Sequence, residues 1–129
     1  MPLPAANTPK VLVIDDDLLV RRTISRILQH GGYRVALAED GAEGVAKFRS
    51  ERPDLVITDI IMPEQEGIET IIELLRVDPD TKIVAVSGGG RHGSMDFLTV
   101  ASKLGAAEIL RKPFEPAELL GCVARALTP

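Results

Sequence analysis

The chain has no tryptophan, and only 3% of its residues are aromatic. Its single cysteine, Cys122, excludes an intramolecular disulfide. No apolar run approaches the roughly 20 residues needed to cross a bilayer. Positive charge is not in excess: 15 Lys and Arg face 19 Asp and Glu, for a net charge of −4. No basic patch therefore announces nucleic acid or an anionic membrane surface. Residues 1–9 lack the basic start and apolar centre of a secretory signal. With Pro2, Pro4 and Pro9 they read as a flexible tail ahead of one domain over 10–129. These absences point to a reducing, cytoplasmic setting.

What is present is an alternation of two periods. Hydrophobic residues make up 45% of the 129 residues and charged residues 26%, which suits one folded domain with one core. Lys10 to Ile14 is a β-branched apolar run without alternation, the signature of a strand buried on both faces. Asp15-Asp16-Asp17 ends it. The period then becomes helical: Leu19, Val20, Ile24, Ile27 and Leu28 are expected on one stripe, with Arg21, Arg22 and Arg26 on the other face, until Gly31-Gly32. Tyr33 to Leu37 is a second strand. Asp40 and Glu43 stand in capping-box spacing before a helix whose stripe is expected from Ala42, Val45, Ala46 and Phe48.

Three more units follow. Pro53 leads into a strand that ends on Asp59. A helix from about Gly67 to Arg76 should turn Ile68, Ile71, Ile72 and Leu75 inward. Lys82 to Val86 is the fourth strand and delivers Ser87. A glycine-rich loop with Gly88, Gly89, Gly90 and Gly93 precedes a helix to about Leu104, with Phe97, Leu98 and Ala101 on its core side. Ala106 to Leu110 is the fifth and weakest strand. Pro116 opens a last helix built on Ala117, Leu119, Leu120, Val123 and Leu127, with Cys122 in or beside that stripe. Five strands alternating with five helices imply an α/β fold: a doubly wound, five-stranded parallel sheet of order 2-1-3-4-5, flavodoxin-like, covered on both faces. Its ligands bind at the carboxyl ends of strands one and three, where the winding reverses.

Those strand ends carry chemistry. Strand one gives Asp15, Asp16 and Asp17, strand three Asp59, strand four Ser87 and strand five Lys112-Pro113. Carboxylates gathered at one edge repel one another and call for a cation. A hard divalent ion with oxygen ligands fits, and Mg²⁺ needs few protein carboxylates. An ionised Asp beside Mg²⁺, with Lys112 and Ser87 to bind equatorial oxygens, is equipped to attack a phosphoryl group and form an aspartyl phosphate. Taken singly each piece has a plainer reading. Asp17 suits a helix cap, Lys112-Pro113 is a common loop, and Ser87 could satisfy a strand-end amide.

The pieces together resemble a known family. Val-Leu-Val-Ile-Asp15-Asp16-Asp17, Asp54-Leu-Val-Ile-Thr-Asp59-Ile-Ile-Met62-Pro63 with Gly67, Ile-Val-Ala-Val-Ser87 and Leu-Arg-Lys112-Pro113-Phe114 resemble, in order and over nearly the whole chain, the CheY-like receiver domains of two-component signalling. The resemblance implies that Asp59 is the phosphoacceptor. Asp16, Asp59 and the backbone carbonyl of Ile61 would hold Mg²⁺, with Asp15 assisting. Ser87 would follow the phosphoryl group and Lys112 would pair with it. The donor would be a histidine kinase or a histidine phosphotransfer protein, and the output surface would be the fourth helix, fifth strand and fifth helix. Such a domain catalyses only its own phosphorylation and dephosphorylation, and works by protein contact. Met1 with its own tail favours a complete protein; the alternative is a receiver cut from a longer regulator, with Leu127-Thr128-Pro129 opening a linker.

Two departures from the family pattern stand out. Ile109 occupies the place, three residues before Lys112, where many members carry an aromatic switch residue. The glycine loop after Ser87 is expected to order on phosphorylation. Ile61 and Gly89, two positions past Asp59 and Ser87, offer no side chain to orient a hydrolytic water, so water access should set the phosphoryl lifetime. Arg91 and His92 in the same loop read as solvated side chains, His30 as a cation at a helix C-terminus, and Met62 as turn packing. Two rival classes fit less well. A haloacid-dehalogenase-type phosphohydrolase would use Asp15 and Asp17, but Leu19 stands where that family wants a threonine. An FMN-binding flavodoxin would place phosphate against three repelling carboxylates.

Overall fold

The apolar, β-branched runs become a single parallel sheet. The computed structural model describes residues 8–60, 66–87 and 94–128, with backbone alone at Glu66 and at 94–98. These residues form β1 (Lys10–Ile14), α1 (Leu18–His30), β2 (Arg34–Ala38), α2 (Gly41–Glu51), β3 (Leu55–Asp59), α3 (Glu66–Val77), β4 (Ile83–Ser87), α4 (Ser94–Leu104), β5 (Glu108–Arg111) and α5 (Pro116–Leu127). The strands pair in parallel in the order β2-β1-β3-β4-β5, the expected doubly wound arrangement. No helix of the described residues is long and apolar enough to cross a membrane.

Successive residues of the central strands feed opposite faces of the sheet. Val11, Val13, Ile57 and Val86 pack under α1 and α5 with Ile24, Leu28, Leu119 and Val123. Leu12, Ile14, Val56 and Ala85 pack under α2, α3 and α4 with Phe48, Ile71, Leu74 and Ala101. Because helices cover both faces, β3 and β4 are buried at every position. That double burial is why the sequence shows no alternation there. Cys122 lies in the α5 stripe, and burial pushes its thiol pKa up, with Arg125 partly offsetting the rise.

Several stripe positions differ from expectation, each for a geometric reason. Leu19 is 71% exposed. The α1 stripe is centred on Ile24 and Leu28, and at about 100° per residue Leu19 falls about 140° from Ile24. In α2, Ala42 and Ala46 are exposed while Gly41, Gly44 and Phe48 are buried. A Cβ at Gly44 would lie 2.4 Å from Ile14 Cδ1, so close approach to β1 decides that face, not side-chain hydropathy. In α3, Leu74 is fully buried, where Ile72 was expected inward and is only half-buried. Ala117 is exposed at the start of α5. The expectations for Phe97 and Leu98 concern side chains outside the described set.

The helix ends follow local chemistry. Asp17 accepts from the amides of Leu19 and Val20 and caps α1. Asp40 caps α2 by accepting from the Glu43 amide at 2.8 Å, and Glu43 reaches back to the Glu39 amide. Gly32, with φ of 91°, turns the chain from α1 into β2.

Candidate functional site

The sheet register sets the site. Ile14 pairs with Thr58, Asp59 with Val86, and Ser87 with Arg111, so the residues that follow β1 and β5 meet the ends of β3 and β4 at one edge. Asp15 continues β1: its amide donates to Ala38 O at 3.1 Å, and the residue is only 2% exposed. Asp59 closes β3 and is 6% exposed. The next residue, Ile60, is fully buried and its amide donates to Val86 O at 2.9 Å, which holds the end of β3 against β4. Gly67, in the first turn of α3, lies against this same backbone. A Cβ there would stand 2.3 Å from Ile60 Cα and 2.4 Å from Asp59 O.

Lys112 joins the carboxylates. Its amide donates to Ser87 O at 2.8 Å, which fixes the start of the side chain beside β4. Its ammonium then donates to Asp15 Oδ2 at 3.1 Å and to Asp59 Oδ2 at 3.2 Å. Burial alone pulls the lysine pKa down, but the Asp59 and Asp15 carboxylates outweigh burial and hold it above its ordinary value. Lys112 is therefore a cation at any physiological pH. Asp15 Oδ1 also accepts from the Asp17 amide at 2.9 Å. Asp17 itself is committed to capping α1, as the plain reading of that residue held, and is not free to act as a catalytic acid.

Carboxylate oxygens of Asp15, Asp16 and Asp59 lie within 4.8 Å of one another. Two of the three residues are buried and Asp16 is exposed. One ammonium against three carboxylates leaves negative charge at the edge, and an open side at Asp16 through which an ion and its waters can enter. This all-oxygen, mostly carboxylate set fits a hard divalent cation such as Mg²⁺. The hydroxyl of Ser87 is buried and has no hydrogen-bond partner among the described residues. A buried hydroxyl without a partner carries a desolvation cost that an incoming acceptor would relieve. The edge thus gathers three carboxylates, an ammonium and a buried hydroxyl.

Of the residues singled out from the sequence, Asp15, Asp16, Asp59 and Lys112 are brought into contact range, and Ser87 is tied to Lys112 at the same edge. The carbonyl of Ile61, the turn at Met62 and Pro63, and the loop with Gly88, Gly89, Gly90, Arg91, His92 and Gly93 lie outside the described residues. One residue was placed differently by its period: Arg21, expected on the outer face of α1, is half-buried and donates through Nη1 to Asp15 O at 2.6 Å. Helical spacing alone does not reveal that contact, because it depends on where the preceding loop folds back.

Comparison with known proteins gives this geometry a family. The sequence profile of the response regulator receiver domain matches residues 11–124. The chain is a response-regulator receiver domain. It is 37% identical over 112 residues to the chemotaxis protein CheY of Thermotoga maritima, covering 86% of this chain and 91% of that protein. It is 36% identical to the transcriptional regulatory protein PrrA of Mycobacterium tuberculosis, covering 91% of this chain and 49% of that protein. A response regulator receiver domain protein from Clostridium thermocellum superposes with a TM-score of 0.85 at 32% identity, covering 92% of this chain and 94% of the other. This receiver domain thus belongs to two-component signalling, is CheY-like, and is a signalling module and not an enzyme with an external substrate.

Proposed function

We propose that this receiver is a phosphorylation-driven switch in which Asp59 is the phosphoacceptor. The observation that carries the reading is Lys112 Nζ bridging Asp15 and Asp59 at 3.1 and 3.2 Å, inside a cluster of three carboxylates. An oxygen of Asp59 attacks phosphorus, and the P–N bond to the donor's histidine breaks. The electron pair leaves on the imidazole nitrogen, which takes a proton. Asp15, Asp16 and Asp59, with the Ile61 carbonyl as the resemblance implies, would hold Mg²⁺. Bound there, Mg²⁺ neutralises charge on the transferring group. Lys112 turns from the Asp15–Asp59 pair to an oxygen of the new phosphoryl group, and Ser87 donates its unpaired hydroxyl to another.

The donor is a histidine kinase or a histidine phosphotransfer protein. Its docking surface is the groove of about 560 Å³ between α1 and α5, lined by Leu19, Arg22, Arg26, Ile27, Pro116 and Leu120. A second, adjoining hollow shares Leu19, Ile27 and Pro116 and runs to Lys112, so a helix seated there ends beside the carboxylates. The exposure of Leu18 and Leu19 supports this use of α1. Output passes from Ser87 through the β4–α4 connection to the face of α4, β5 and α5, where Arg125 of α5 pairs with Glu108 of β5. A cytoplasmic location goes with this reading, and the receiver domain is the stretch over residues 10–129.

Treating the protein with Mg²⁺ and acetyl phosphate tests the proposal. The expected result is a base-labile adduct on Asp59, seen by mass spectrometry and absent from Asp59→Asn. Steady release of phosphate that does not need Asp59 would sink the reading and favour a phosphohydrolase.

A further inference from the structure

Asp16 is the least supported of the three carboxylates. Its side chain is exposed, and among the described residues no hydrogen bond or ion pair holds it. Asp15, by contrast, is tied at every polar group. Its amide bonds Ala38 O, its carboxylate takes the Asp17 amide and Lys112, and its carbonyl takes the Arg21 guanidinium at 2.6 Å. The last of these bonds acts on Asp16. The carbonyl of Asp15 and the amide and Cα of Asp16 share one rigid peptide plane. Whatever fixes the carbonyl fixes the N–Cα bond from which the Asp16 side chain branches.

Arg21 does that fixing. It sits one turn into α1, and the first turn of that helix is itself anchored by Asp17, so the guanidinium reaches back from a rigid element. A charged donor on a carbonyl makes a shorter and stronger bond than a neutral one. The planar guanidinium also loses less freedom than an ammonium in making it.

We propose that Arg21 is a positioning residue for the divalent-cation site: through the Asp15 carbonyl it sets the peptide plane that aims Asp16 at the ion. The inference rests on the reading of Asp15, Asp16 and Asp59 as a Mg²⁺ site. It makes a prediction opposite in sign to plain electrostatics. Removing a positive charge beside an acidic cluster should tighten cation binding, if charge were all that mattered. Losing the plane that aims Asp16 should weaken it.

Isothermal titration of the full chain with Mg²⁺ at fixed ionic strength separates the two. Arg21→Met is expected to bind Mg²⁺ about tenfold more weakly than the unsubstituted protein, the range typical for losing a partner one shell out from a metal. Arg21→Lys, which keeps the charge and a donor, is expected to recover part of the loss. Acetyl phosphate labelling of Arg21→Met should be slow at limiting Mg²⁺ and return to the unsubstituted rate at saturating Mg²⁺. If Arg21→Met does not fold, Arg21→Gln reports the same neutral state and is read against the same expectation. Equal or tighter Mg²⁺ binding by the neutral variant overturns the inference while leaving the phosphoacceptor reading intact. No Mg²⁺ binding by the unsubstituted protein overturns both this inference and the metal site on which it rests.

Discussion

The Lys112 amide donates to the Ser87 carbonyl at 2.8 Å, so the residues proposed to contact the phosphoryl group from two sides share one backbone bond. Their side chains differ in state. The ammonium of Lys112 is bonded to two carboxylates, while the hydroxyl of Ser87 has no partner among the described residues. The edge therefore has one group that must be released from its bonds and one that is waiting for a bond.

That difference makes an unusual prediction for Ser87→Ala. Truncating a buried, hydrogen-bonded hydroxyl normally destabilises. Here no bond is lost and an unsatisfied group is removed, so stability should hold or rise by up to about 1 kcal/mol. Thermal denaturation of the unphosphorylated protein checks the first half. The second half is a weakened response to phosphorylation, read as smaller amide shifts along β4 and β5 with acetyl phosphate and Mg²⁺. A clear loss of stability would mean that the hydroxyl is bonded in the resting protein.

Lys112→Met should act the other way. It leaves Asp15 and Asp59 buried without their cation. Breaking a fully buried pair costs about 3–5 kcal/mol; with the lysine side chain 21% exposed, about 1–3 kcal/mol is expected, and added Mg²⁺ should narrow the gap. The pH dependence has a fixed sign. The folded-state pKa of Lys112 stands above its ordinary 10.5, so its contribution is fully present below 10.5 and is lost as pH rises through the folded value. The difference in unfolding free energy between the two proteins should stay level from neutrality up to 10.5 on account of this group, then shrink. Urea titrations across that window measure it.

How far the fold and site could be read from the chain depends on what each signal encodes. The β-branched run ending in Asp59 and its counterparts at Asp15 and Ser87 were legible because double burial writes itself as continuous apolar sequence. The site was legible because its residues all follow strands, and a parallel sheet collects strand ends at one edge. Side-chain facing in α2 was not. Gly44 turns inward because Ile14 needs the space, and hydropathy carries no signal for a gap. The same limit hid Arg21, whose partner is a backbone carbonyl six residues back.

Asp17→Ala tests the division of labour among the three consecutive carboxylates. Asp17 accepts from the amides of Leu19 and Val20, and loss of such a cap costs about 1 kcal/mol. Its backbone amide, which holds Asp15, is kept in the variant. Stability should fall by that amount while acetyl phosphate labelling of Asp59 proceeds at the unsubstituted rate. Abolished phosphoryl chemistry in a folded Asp17→Ala protein would revive the phosphohydrolase reading, in which Asp17 is the acid.

Gly67→Ala probes how closely the phosphoacceptor strand is held. A methyl group at 67 would lie 2.3 Å from Ile60 Cα and 2.7 Å from Ile60 C, both backbone atoms of a residue with no exposure. Neither side can yield cheaply: Ile60 is tied to β4 through Val86 O, and Gly67 belongs to the first turn of α3. Either α3 lifts from the sheet or the end of β3 shifts. Overpacking of this kind costs about 1–3 kcal/mol, which matches or exceeds the gain of up to about 1 kcal/mol that alanine has over glycine in a helix. Because the displaced backbone is that of Asp59 and Ile60, the damage should extend to function. Labelling of Asp59 should slow even at temperatures where the variant is fully folded by circular dichroism. A variant that loses stability but labels at the unsubstituted rate would show that α3 moves and the strand end does not.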